Sequence, residues 1–140
     1  MKYGKWMGIT ACVLLIAVCF MPWTYHADIG KSFTGFFSEN NAYGKPGKFV
    51  VFFCLLSLML LLVGKVWAQR TLLFVAGTLV AYAIKTYILY SSCYNAYCPE
   101  KKAGIFLLII FSILIFCSAL FSDIRVKSQD SLDRDRAPQE

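Results

Sequence analysis

Charge is scarce in this sequence, and unevenly so. Only 16% of the 140 residues are charged, against about 25% in soluble domains. None lies between Met7 and Met21, between Phe49 and Gly64, or between Gly104 and Ser122. The stretch from Thr71 to Tyr90 holds one charged residue, Lys85, and no Asp or Glu falls in any of the four stretches to pair with it. Histidine is also nearly missing. His26 stands alone, and one histidine does not build a zinc site without several other ligands. Phosphate-cradling loops, metalloprotease helices and nucleic-acid modules are absent as motifs. The sequence therefore points to no catalytic residue, no metal, no cofactor and no nucleic-acid partner. Its net charge of +6 is better explained by membrane topology.

What the sequence does have is apolar length. Hydrophobic residues make up 59% of it. A bilayer core of roughly 30 Å needs about 20 apolar residues at 1.5 Å each, and four stretches meet or approach that length. In a soluble bundle each helix would carry an apolar stripe and a charged opposite face, whereas Phe49–Leu62 and Gly104–Phe121 are apolar all round. The first stretch follows Lys2 and Lys5, as in a signal peptide, but it ends in Phe20-Met21-Pro22-Trp23 without a small-x-small cleavage site. Ile9-Thr10-Ala11-Cys12 superficially resembles a lipoprotein box, yet its apolar run follows the cysteine instead of preceding it.

The expected fold is an all-α membrane protein, an antiparallel bundle of four transmembrane helices with a short hairpin-like extracytoplasmic loop. The helices are expected at about residues 6–22, 49–67, 71–90 and 99–121. Outer loops would fill 23–48 and 91–98, with a disordered polar tail over 123–140. The turn between helices 2 and 3 is placed at Ala68-Gln69-Arg70, and Pro99 and Glu100 look like the first turn of helix 4. An even number of crossings puts both termini on one side. With the termini inside, that side carries eight basic residues against five in the outer loops, and all four arginines. This bias makes both termini cytoplasmic under the positive-inside rule. Trp6 and Trp67 would mark the inner headgroup level, and Trp23, Tyr25, Tyr87, Tyr90, Tyr94 and Tyr97 the outer one.

The long outer loop reads as two extended pieces around Ser38-Glu39-Asn40-Asn41, forming a small hairpin. Lys45-Pro46-Gly47-Lys48 has the order of a type II turn. Phe33, Phe36, Phe37 and Tyr43 give this loop an aromatic surface suited to a partner. Cys93 and Cys98 lie in a loop facing an oxidising compartment and are expected to form a disulfide staple. A redox-active pair is the alternative, although the spacing is not Cys-x-x-Cys. Cys12, Cys19, Cys54 and Cys117 fall within spans and read as small apolar fillers.

Lys85 is the residue that most invites a ligand, because an ionisable group within a span is costly and marks function by default. Thr71, Thr78, Tyr82 and Lys85 recur at helical spacing and share one stripe. Lys85 with Tyr82 and Thr78 would then contact an anionic headgroup, a quinone oxygen or a partner's carboxylate. The plainer reading is that Lys85 snorkels to the outer interface among Tyr87 and Tyr90. His26 and Asp28 read as interfacial polar decoration, since no motif places a nucleophile beside them. Gly77 with Ala81, Ser118 with Ser122, and Gly4 with Gly8 have the small-x-x-x-small spacing of close helix contacts, within the chain or to a partner.

Thr34-Gly35-Phe36, Tyr43-Gly44-Lys45-Pro46-Gly47, Trp67-Ala68-Gln69-Arg70, a basic residue late in helix 3 (Lys85), and Cys98-Pro99-Glu100-Lys101-Lys102 occur in that order. In this the chain resembles a group of small bacterial integral membrane proteins with no assigned activity. The resemblance touches most of the chain from Pro22 to Phe121. It implies four spans and a bacterial inner membrane, and it supplies no catalytic residue. The leading expectation is a non-enzymatic accessory or structural subunit of a membrane assembly, in contact with membrane lipid and with a protein partner or further copies of itself. Binding or transport of a small anionic or lipidic ligand at Lys85 is the alternative, and thiol–disulfide exchange at Cys93 and Cys98 a third.

Overall fold

The computed structural model describes residues 3–27, 30–37, 44–93 and 98–136. The described chain is mostly helical, with α1 (Tyr3–Val18), α2 (Pro46–Val63), α3 (Val66–Ser91) and α4 (Ala103–Arg136). A small antiparallel sheet of β1 (Thr24–His26), β2 (Lys31–Phe33) and β3 (Glu100–Lys101) closes one end. The helices pack in a ring, α1 on α2, α2 on α3, α3 on α4, and α4 back on α1.

The helices α2, α3 and α4 are long and apolar enough to cross a membrane, and α1 is a shorter apolar helix. Inside the ring, Cys12, Leu15, Leu72, Leu79, Leu108 and Ile115 are at most 1% exposed. The outside is no more polar than the inside. Phe52 is 62% exposed, Met59 66%, Phe74 77% and Phe106 46%. In water each such side chain would forgo roughly 1.5–3 kcal/mol of burial, whereas in hydrocarbon it forgoes nothing. Close backbone approach then decides which faces meet. Between α1 and α4, Ser118 Oγ donates to the Gly4 carbonyl at 2.6 Å. A Cβ on Gly8 would lie 2.8 Å from that same hydroxyl. The small-residue pairs of α1 and α4 thus meet each other within the chain. Gly77 rests against the Phe116 ring, while Ala81 is exposed.

Several boundaries differ from those expected. The turn between α2 and α3 is Gly64-Lys65, where Gly64 takes the left-handed conformation (φ 65°) that ends many helices. Ala68, Gln69 and Arg70 are therefore the first turn of α3. Pro46 opens α2 as its first residue and Gly47 is helical, so this segment is a helix start and not a type II turn. Pro99 and Glu100 do not begin α4: Glu100 and Lys101 pair as a strand with Thr24 and Tyr25, and α4 starts at Ala103. Nor does α4 end near Phe121. It continues to Arg136, because extending an existing helix requires no new nucleus even where no apolar face is left to bury. A hairpin that the sequence did not suggest forms upstream of the expected one, pairing Thr24 with Phe33 and His26 with Lys31. The expected turn Ser38–Asn41 falls outside the described residues, as do Asp28, Tyr43, Tyr94 and Tyr97.

Candidate functional site

The end closed by the sheet is organised around Trp23. Its indole Nε1 donates to the Val18 carbonyl at 2.9 Å, closing the last turn of α1. Its backbone N–H donates to Phe33 at 2.8 Å, and its carbonyl accepts from Lys102 at 2.9 Å. The ring is fully buried, edge-on to Tyr90 at 5.8 Å, so Trp23 is a core residue and not part of an interfacial belt. Gly35 and Gly47 let two backbones touch: Gly35 donates to the Cys19 carbonyl at 3.1 Å, and Gly47 to the Gly35 carbonyl at 2.7 Å. A Cβ on Gly104 would lie 2.7 Å from the Pro22 carbonyl oxygen. Thr34-Gly35-Phe36, Gly47 and Glu100-Lys101-Lys102, far apart in sequence, thus converge on one cap.

Of the aromatics expected to meet a partner, Phe33 is 1% exposed with its ring 4.2 Å from that of His26. It is packed inward and offers no surface to a partner, which corrects its expected role. Phe36 is half-buried against Phe20, ring centres 5.0 Å apart, while Phe37 is 49% exposed and Phe20 68%. Phe20, Met21, Phe36 and Phe37 therefore form an apolar ridge along the rim of the cap. Cys93 and Cys98 are joined as a disulfide, both exposed. Cys12, Cys19 and Cys54 are buried free thiols.

The Lys85 stripe runs along a partly exposed side of α3. Thr78 donates to the Phe74 carbonyl at 2.9 Å and Thr71 to the Trp67 carbonyl at 3.0 Å, so both hydroxyls are engaged by their own helix. The Tyr82 ring lies 5.7 Å from Phe49. Lys85 is exposed on α3, among the outward-facing Ile84, Ile88 and Leu89. Among the described residues, no group of three or more His, Cys, Asp or Glu side chains is placed to hold a metal.

The opposite end holds a feature that sequence reasoning missed. A cleft of about 330 Å³ opens between the start of α1 (Gly4, Lys5), the first turn of α3 (Val66, Gln69) and the extension of α4 from Phe121 to Asp133. Gln69 is only 9% exposed, and its Oε1 has no hydrogen-bond partner among the described residues. A buried orphan acceptor costs about 1–3 kcal/mol. Helical spacing could have found it, since Gln69, Leu72, Ala76, Leu79 and Ala83 form one buried face of α3. α3 also starts without a side-chain cap, leaving a positive dipole end at the cleft. The Lys5 ammonium sits at the neighbouring turn, 3.1 Å from where a Cβ on Gly64 would lie. A second groove of about 530 Å³, lined by Tyr3, Met7, Phe121 and Ile124, adjoins the cleft and shares Gly4, Phe121 and Arg125 with it.

The chain matches no known protein family, no curated protein and no solved structure.

Proposed function

We propose that the chain is a non-enzymatic, four-span protein of the bacterial inner membrane, with both termini cytoplasmic. It serves there as an accessory or structural subunit of a membrane protein assembly. The fourth span is α1. Turn hydrogen bonds through Cys19, Phe20 and Met21 prolong it, so that Tyr3 to Met21 reaches about 28 Å at 1.5 Å per residue. The bacterial setting rests on the family resemblance, and the sidedness on the distribution of Lys and Arg.

The observation that carries the subunit reading is the ridge of Phe20, Met21, Phe36 and Phe37 at the rim of the cap. The cap beneath it is fixed by backbone hydrogen bonds among Cys19, Trp23, Phe33, Gly35 and Gly47. A rigid apolar edge at the headgroup level suits a second membrane protein, because little ordering entropy is lost when it docks. Extraction in a gentle detergent followed by mass measurement tests this. A stoichiometric partner, lost on Phe37→Ala with Phe20→Ala, is the expected result; a strictly monomeric particle from native membranes would count against it.

A further inference from the structure

The outward face of α3 carries two features that the fold does not use. Phe74, Ala81, Ile84, Lys85 and Ile88 are all exposed there, with Gly77 half-buried among them. At Gly8, Gly35, Gly47 and Gly104 another part of the chain comes close, and a Cβ on each would meet an atom at 2.6 to 2.9 Å. Gly77 has no such neighbour: a Cβ there would meet the edge of the Phe116 ring at 3.7 Å, an ordinary contact. Glycine inside a helix is unfavourable against alanine, so Gly77, one turn before Ala81, suits close approach by something outside the chain. The second feature is Lys85, whose ammonium has no hydrogen bond or ion pair among the described residues. We propose that the α3 face around Gly77, Ala81 and Lys85 docks a transmembrane helix of a different protein, one carrying an aspartate or glutamate in mid-span. Such docking presupposes the subunit reading above, though not the ridge of the cap.

Charge decides the occupant. In a helix each Cα–Cβ bond tilts toward the helix start, so Lys85 covers the turn around Ala81. Its Cα lies about 9 Å short of the end of α3 at Ser91, and reaching the headgroups there runs against that tilt. The ammonium therefore belongs beside the notch of Gly77 and Ala81, near the middle of α3, where an unpaired charge is costly in hydrocarbon. A carboxylate on a helix seated in the notch pairs with it. A second copy of this chain supplies none, because its four apolar stretches hold no Asp or Glu. A two-fold pairing of α3 faces would also bring two Lys85 side chains together. An anionic headgroup sits at the membrane surface and needs no notch between small residues.

Fluorescence energy transfer between the full chain and synthetic transmembrane peptides tests this in phosphatidylcholine vesicles. The peptides are polyleucine helices with one central Glu, one central Lys, or neither. The Glu peptide should associate about tenfold more tightly than the all-leucine one, near the upper end for a single polar contact between membrane helices. The Lys peptide should gain nothing. Lys85→Met should remove the preference for Glu, and Ala81→Leu should weaken binding of the Glu peptide by filling the notch. Adding phosphatidylglycerol should leave the preference in place. Equal association of the three peptides would overturn the proposal, as would a preference that survives Lys85→Met. A preference abolished by phosphatidylglycerol would give the ammonium to a headgroup, and chain–chain transfer lost on Ala81→Leu would give the face to a second copy; either overturns it. The wild-type peptide series decides the matter even if a variant fails to fold. The subunit reading is judged apart, by the mass of the particle from native membranes, so failure of the peptide test leaves it standing.

Discussion

Replacing Gly47 with alanine puts a methyl group where the backbone of Gly35 already lies. The new carbon would stand 2.6 Å from the Gly35 carbonyl oxygen and 2.7 Å from its carbon. Both are backbone atoms, so neither can rotate aside as a flexible side chain would. Overpacking of this kind costs about 1–3 kcal/mol. Stretching the 2.7 Å bond from Gly47 N–H to Gly35 costs about 1 kcal/mol more. Alanine returns roughly 1 kcal/mol through its better helix propensity. The net is a destabilisation of about 1–3 kcal/mol, sizeable against the 5–15 kcal/mol typical of a whole domain. Gly4 is the matched control: it too is helical, but a Cβ there meets nothing within 4 Å among the described residues, so Gly4→Ala should stabilise by about 0.5 kcal/mol. Equilibrium unfolding in mixed detergent–SDS micelles reads both changes, with tryptophan fluorescence as the probe, because Trp23 packs directly against Gly35. A Gly47→Ala protein as stable as the wild type would refute the close-approach reading, as would a Gly4→Ala protein that loses as much.

Other perturbations separate core from surface roles in the same assay. Trp23→Phe removes the donor to the Val18 carbonyl and leaves a void, a loss of about 2–4 kcal/mol; a loss under 1 kcal/mol would place Trp23 at the interface. Ser118→Ala breaks the hydrogen bond to Gly4 and should cost about 0.6 kcal/mol, the usual scale for such bonds between helices in lipid. Lys85→Met should change stability by less than about 0.5 kcal/mol, since the side chain is exposed. A loss above 2 kcal/mol would mean that Lys85 holds a buried partner.

The helical, apolar character of the chain was legible because it depends on length and uncharged runs alone, as in Phe49–Gly64. The staple between Cys93 and Cys98 was legible too, since their loop position suits a bridge. The boundaries were less so. Ala68-Gln69-Arg70 looks like a polar turn between apolar runs, yet the signal that ends α2 is Gly64, which alone there accepts positive φ without a Cβ penalty. Trp23 looks like a belt residue, and only the tertiary pairing of β1 with β2 and β3 covers it. The extension of α4 was missed for a different reason. Its residues cannot drive folding by burial, but they follow a formed helix, and an Asp130–Arg134 pair one turn apart supports them. With that extension unseen, the cleft it forms with Lys5 and Gln69 could not be anticipated.

The proposed topology depends on four helices, α1 included, crossing the bilayer. Three single-cysteine variants test it most directly, Tyr3→Cys, Ser32→Cys and Ser128→Cys, labelled with a membrane-impermeant maleimide in intact and in permeabilised cells. Label is expected at position 32 in intact cells, and at positions 3 and 128 only after permeabilisation. If positions 3 and 32 react from the same side, α1 does not span and the topology is wrong.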